Sequence, residues 1–156
     1  MATHFCQNQS DVLYDMKRTI GLLAVLLGVG LSGCRSISRD EVLRVASPDG
    51  KIDAIVYETD CGAVCSYGYE VWVSPKGLGE SEEVARFDAA VRNKGAWGVS
   101  IKWVNTESIS VEYLRADSAK LLRKSVAANN QTIEVSLHEG VEDPNAPPGS
   151  MRSNRR

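Results

Sequence analysis

The sequence predicts a mainly β protein: an antiparallel meander forming a curved sheet or small sandwich, with at most one or two short helices. Three observations carry this. Short runs rich in Val, Ile, Tyr and Trp alternate apolar and polar residues with period two. Tight-turn residues separate these runs. Little of the chain repeats with helical period over a useful length.

The elements follow in order. Glu41–Ser47 alternates as a strand. Ser47-Pro48-Asp49-Gly50-Lys51 is a turn: Pro presets φ, Asp bonds its own backbone, and Gly takes positive φ. Lys51–Glu58 returns to make a hairpin. Thr59–Gly68 is a loop, and Tyr67–Ser74 is the next strand, with Val71 and Val73 on one face and Glu70 and Trp72 on the other. Residues 81–94 fit two patterns. As a helix, Ser81 caps it and Val84, Phe87 and Val91 share a face; as a strand, Val84–Ala89 alternates equally well. The neighbours are strands, so a strand is preferred. Trp97–Val104 is the clearest strand, with Val99, Ile101 and Trp103 inward. After a turn at Asn105–Ser108, Ile109–Leu114 returns with Ile109, Val111 and Tyr113 inward. Asp117–Val126 reads as one short helix or a loose strand, Asn129-Asn130 as a turn, and Gln131–His138 as the last strand. The Pro-rich, polar segment 140–156 has nothing to bury and is expected to be disordered.

The amino-terminal part has a different character. Lys17 and Arg18 precede the uncharged apolar run Ile20–Leu31, which is too short for a comfortable membrane span. The run ends at Leu31-Ser32-Gly33-Cys34, which resembles the bacterial lipobox. That resemblance implies diacylglyceryl transfer to the Cys34 thiol, cleavage just before it, and acylation of the new amino end with chains such as palmitate. Two or three acyl chains hold a protein stably on a bilayer. The division expected is therefore an over-extended start at 1–15, a signal peptide at 16–33, a tether at 34–40, a β-rich domain at 41–139 and the tail. Arg35, where an Asp would favour inner-membrane retention, points to the outer membrane and to a domain facing the periplasm.

Removing Lys17, Arg18, Asp11 and Asp15 from the 18 basic and 20 acidic residues leaves 16 against 18. A slightly acidic domain is a poor nucleic-acid binder. With Cys34 lipidated and Cys6 ahead of the signal, Cys61 and Cys65 remain as an even pair in an oxidising compartment, and a structural disulfide is expected. Three intervening residues rather than two, and Asp60 beside Cys61, argue against a redox dithiol. One histidine, His138, remains after the signal, too few ligands for zinc, so neither metal nor cofactor is expected.

The lipobox signal, Ser47-Pro48-Asp49-Gly50-Lys51, Asp60-Cys61-Gly62-Ala63 and the strand containing Trp103 together resemble a group of small proteobacterial envelope lipoproteins. The group implies an address, a size and a β-rich fold, and brings no activity with it. The function expected is non-catalytic binding or scaffolding at the periplasmic face of a membrane, with the lipid as one partner and an envelope protein as another. Tyr67, Tyr69 and Trp72, in or beside the Thr59–Gly68 loop, form the candidate recognition surface, because aromatic residues anchor interfaces. The alternatives are a small inhibitor of the lysozyme-inhibitor kind, by analogy of size and address alone, and a hydrolase. A hydrolase needs a base beside Ser100, Ser108, Ser110 or Ser136, and His138 is the one His at hand.

Overall fold

The computed structural model describes residues 37–62, 65–77 and 79–154. The chain is mainly β, as the alternation predicts. A five-stranded sheet has the order β1-β2-β3-β4-β7, from β1 (Ser38–Ala46), β2 (Ile52–Asp60), β3 (Gly68–Pro75), β4 (Glu82–Asp88) and β7 (Ser118–Leu121). A four-stranded sheet has the order β5-β6-β9-β8, from β5 (Ser100–Asn105), β6 (Ser108–Tyr113), β9 (Gln131–Glu139) and β8 (Ser125–Ala128). Neighbouring strands are antiparallel except β6 and β9, which run parallel with Ile109 opposite Val135.

One apolar core lies between the sheets. Ile52, Ala54 and Val56 of β2, Tyr69, Val71 and Val73 of β3, and Phe87 of β4 meet Ile109, Val111 and Tyr113 of β6 and Ile133 and Val135 of β9. The period-two faces read from β3, β5 and β6 are the buried ones. Trp103 also ties the layers together by donating its indole N–H to Val45 O at 3.0 Å. Val104, which ends that alternation, is an extra residue where the β5–β6 register shifts, and it is exposed.

The first hairpin turn is built as its residues dictate. Gly50 has φ of 72° and donates its N–H to Ser47 O at 2.8 Å. Asp49 Oδ1 accepts from Ser47 Oγ at 2.7 Å and from Lys51 N–H at 3.2 Å. These bonds favour the ionised carboxylate and pull the Asp49 pKa down to about 2, the Ser47 hydroxyl contributing most. A lowered folded pKa means the turn's gain is complete above the ordinary carboxylate value near 4 and is lost as pH falls towards 2. An NMR titration should therefore show Asp49 ionising near 2, and Ser47→Ala should move it upward. A titration midpoint near 4 in the unmodified protein would contradict this geometry. The second expected turn, Asn129-Asn130, has both residues at positive φ, as a two-residue hairpin requires.

Residues 81–94 contain a strand, β4, with Val84 as an extra residue where the β3–β4 register shifts. This bulge explains why neighbours Val84 and Ala85 are both buried. The alternatives for Asp117–Val126 resolve into two strands, β7 and β8, in different sheets.

Two expected boundaries need correction. Ser38, Arg39 and Asp40, assigned to the tether, are paired in β1. The segment 140–154, expected to be disordered, folds against one end of the sandwich. Its backbone bonds to Leu114, Tyr113 and Arg92, and Gly149 exchanges bonds with Trp97 and Gly95. Asn93 Nδ2 donates to the carbonyls of Asp143 and Ala146, both at 2.9 Å. Ala146 and Met151 are buried. Gly98, at φ 118°, makes room for Met151: a Cβ there would meet its Cγ and Sδ. The segment ends in a short 3-10 turn, Arg152–Asn154. Its order comes from partners distant in sequence, so local composition misjudges it.

Candidate functional site

Cys34, the signal peptide and the over-extended start lie outside the described residues. Among the described residues, no helix is long and apolar enough to cross a membrane, and no group of three His, Cys, Asp or Glu side chains is placed to hold a metal ion.

The disulfide Cys61–Cys65 is present in the β2–β3 loop. Asp60 Oδ1 accepts from Gly62 N–H at 2.7 Å and shapes the start of that loop. Closing so short a loop is worth about 2 kcal/mol in the chain-entropy picture. Changing both cysteines to alanine should lower stability by about that amount in urea unfolding. An unchanged midpoint would show that the bridge constrains nothing.

The three candidate recognition aromatics separate. Tyr69 is wholly buried, which removes it from any surface. Its hydroxyl donates to Glu58 Oε2 at 3.0 Å, and its pKa is pushed up, first by burial and then by the Glu58 charge. The sequence held the signal for this, because residue 69 shares parity with Val71 and Val73. Tyr67 is half-buried and meets Trp97 edge-on at 5.9 Å. Trp72 is half-buried on the outer face of the five-stranded sheet.

That outer face is the most developed surface cluster. Register places Glu41, Tyr57, Glu70, Arg86 and Lys120 in one row across the five strands. The row above runs Arg44, Ile55, Trp72 and, past the bulge, Glu83. Tyr57 and Trp72 meet edge to face at 6.3 Å, and the Arg39 guanidinium lies over both rings, at 4.0 and 4.6 Å. Glu70 is the hub. Its Oε2 accepts from Arg39 Nη2 at 3.0 Å and from Trp72 Nε1 at 3.1 Å, while Oε1 lies 3.9 Å from Arg86 Nη2. Arg86 also makes two 2.8 Å bonds to Glu83, which raise its pKa. Farther along, Arg44 bridges Glu41 and Asp53, and Lys76 reaches Asp53 at 3.3 Å. Sequence reasoning found Trp72 and missed Arg39 and Tyr57, because only the strand register brings the three together.

The opposite outer face carries the hydrolase candidates. His138 Nε2 lies 3.0 Å from Ser136 Oγ. Both are on β9, opposite Glu112 and Ser110 of β6. Glu112 faces Lys102 Nζ at 2.6 Å and accepts from Ser110, and among the described residues Ser136 is the hydrogen-bond partner of the imidazole. A base oriented for nucleophile activation needs a third group on its other nitrogen. Ser100 donates to Asp143, and Ser108 sits at the start of β6.

Comparisons with protein-family models, with curated proteins and with solved structures found no match for this chain.

Proposed function

We propose that this chain is a lipid-anchored protein of the bacterial envelope, held through acylated Cys34, whose β-sandwich works by binding or scaffolding rather than catalysis. The observation that carries the binding reading is the cluster of Arg39, Tyr57, Trp72 and Glu70 on one open sheet face. Aromatic and guanidinium groups are the commonest energetic anchors of protein interfaces, and here ion pairs and ring contacts hold them in place before any partner arrives. The lipobox resemblance supports the address, and Arg35 favours the outer membrane facing the periplasm.

Two measurements test the two halves of the reading. The intact mass of the full-length product from detergent-extracted envelopes should begin at Cys34 and carry acyl chains; an unlipidated mass beginning at Met1 or Met16 sinks the anchor. A photocrosslinker at Lys120, in the Tyr57–Glu70–Arg86 row, should give envelope-protein adducts that Trp72→Ala abolishes. One at Lys102, on the other sheet, should give none. Adducts from Lys102 alone would move the binding face to the second sheet.

A further inference from the structure

β9 has one edge that its neighbours leave half covered. β6 pairs with Glu134–Glu139, while β8 pairs on the opposite side only with Gln131–Glu134. Backbone bonds fix which groups point where. Glu134 N–H donates to Glu107 O towards β6, and Val135 N–H donates to Lys124 O towards β8. Alternation along the strand then turns the N–H and C=O of Leu137 away from β6, into the lane that β8 has left. The lane is empty because the chain is pulled across to the other sheet. Leu122 and Arg123 both donate to Val84 O, and Arg123 pairs with Glu82 at 3.0 Å. What remains is an open groove of about 530 Å³, walled by Leu121 and Leu137 and flanked by Lys124, Glu134 and Ser136. No strand among the described residues fills it.

We infer that this groove receives the carboxyl-terminal end of an extended polypeptide, added to β9 as an antiparallel strand. Unpaired main-chain groups on a sheet edge select an extended peptide over other ligands. Charge selects its direction. A peptide antiparallel to β9 continues the lane of β8 and brings its last residue up to Lys124, whereas a parallel one brings an amino terminus there. Among the described residues Lys124 has no carboxylate partner, so a terminal carboxylate complements it. The peptide residue opposite Leu137 exchanges hydrogen bonds with it and lays its side chain against Leu121 and Leu137, which requires an apolar residue next to last. Glu134, on the Ser136 side, disfavours a second acidic group. This inference uses a different surface from the aromatic face and does not depend on the lipid.

The test uses the full-length protein in detergent and a fluorescein-labelled hexapeptide with valine next to last, prepared with a free carboxylate and as the amide. Fluorescence anisotropy should show the carboxylate form binding about tenfold more tightly, the scale of one charge-assisted bond. Lys124→Ala should erase that difference without weakening the amide. Leu137→Pro, which removes an N–H that no ladder bond uses, should abolish binding of both forms. Amide exchange at Leu137 should slow when peptide is added. Equal binding of the two forms, insensitivity to Lys124→Ala, or no binding at millimolar peptide would each overturn the inference.

Discussion

Phe87→Ala should cost about 3–5 kcal/mol, the range for emptying a fully buried aromatic site. Phe87 has no exposed surface, and its ring meets Tyr113 at 5.1 Å with the planes 65° apart. It stands in β4 while Tyr113 stands in β6, so the pair joins the two sheets rather than two neighbours in one. Truncation would open a void between layers held by their own ladders, which limits collapse. Against a typical total of 5–15 kcal/mol, the loss is large. Urea unfolding should show a lower midpoint with an unchanged slope. A loss below about 1 kcal/mol would mean that the sheets are not packed through this contact.

Glu58→Ala should cost about 3 kcal/mol through a different mechanism. Glu58 is almost fully buried. Its Oε2 accepts from Tyr69 Oη at 3.0 Å, from Met151 N–H at 2.9 Å and from Arg152 N–H at 3.4 Å. Alanine would leave these donors without their acceptor, and each buried orphan costs about 1–3 kcal/mol. The terminal segment should show it directly: amide exchange at Met151 and Arg152 should accelerate about a hundredfold, in step with the stability loss. Tyr69→Phe removes one donor and leaves the Glu58 carboxylate in place to accept from the two backbone N–H groups, so it should cost only about 1 kcal/mol. Unchanged exchange at Met151 in the alanine variant would show that Glu58 does not hold the terminal segment.

Period-two alternation was enough to place β3, β5 and β6, to put Val71 and Val73 on one face, and to name Val99, Ile101, Ile109 and Val111 as inward residues. It works because each strand has one face on the core, so local pattern and burial agree. It failed where order depends on distant partners. Nothing near Met151 announces Glu58, and nothing near Asp143 announces Asn93. The parallel contact of β6 with β9 is likewise invisible, because it requires the chain to cross to the other sheet at β7 and return at β8 first. The aromatic face was half legible. Trp72 stood out by its type, whereas Arg39 and Tyr57 join it only through the pairing of three strands. Lys124 gave no signal at all, since its setting arises from where β8 begins.

The bonds from Glu58 to Met151 and Arg152, with the ion pair of Arg152 Nη1 and Asp40 Oδ2 at 3.3 Å, join the first two strands to the last described turn. A chain is synthesised from its amino end, so β1 and β2 exist long before their closing partner does. Until residues 150–154 are made, Glu58 is a carboxylate at a sheet end with none of its terminal donors, and the space beside Gly98 lacks the Met151 side chain. Folding of this sandwich therefore completes only after residues 150–154 have been made. A chain interrupted before residue 150 lacks the piece that locks the earliest strands, and such chains should be cleared by proteolysis rather than accumulate.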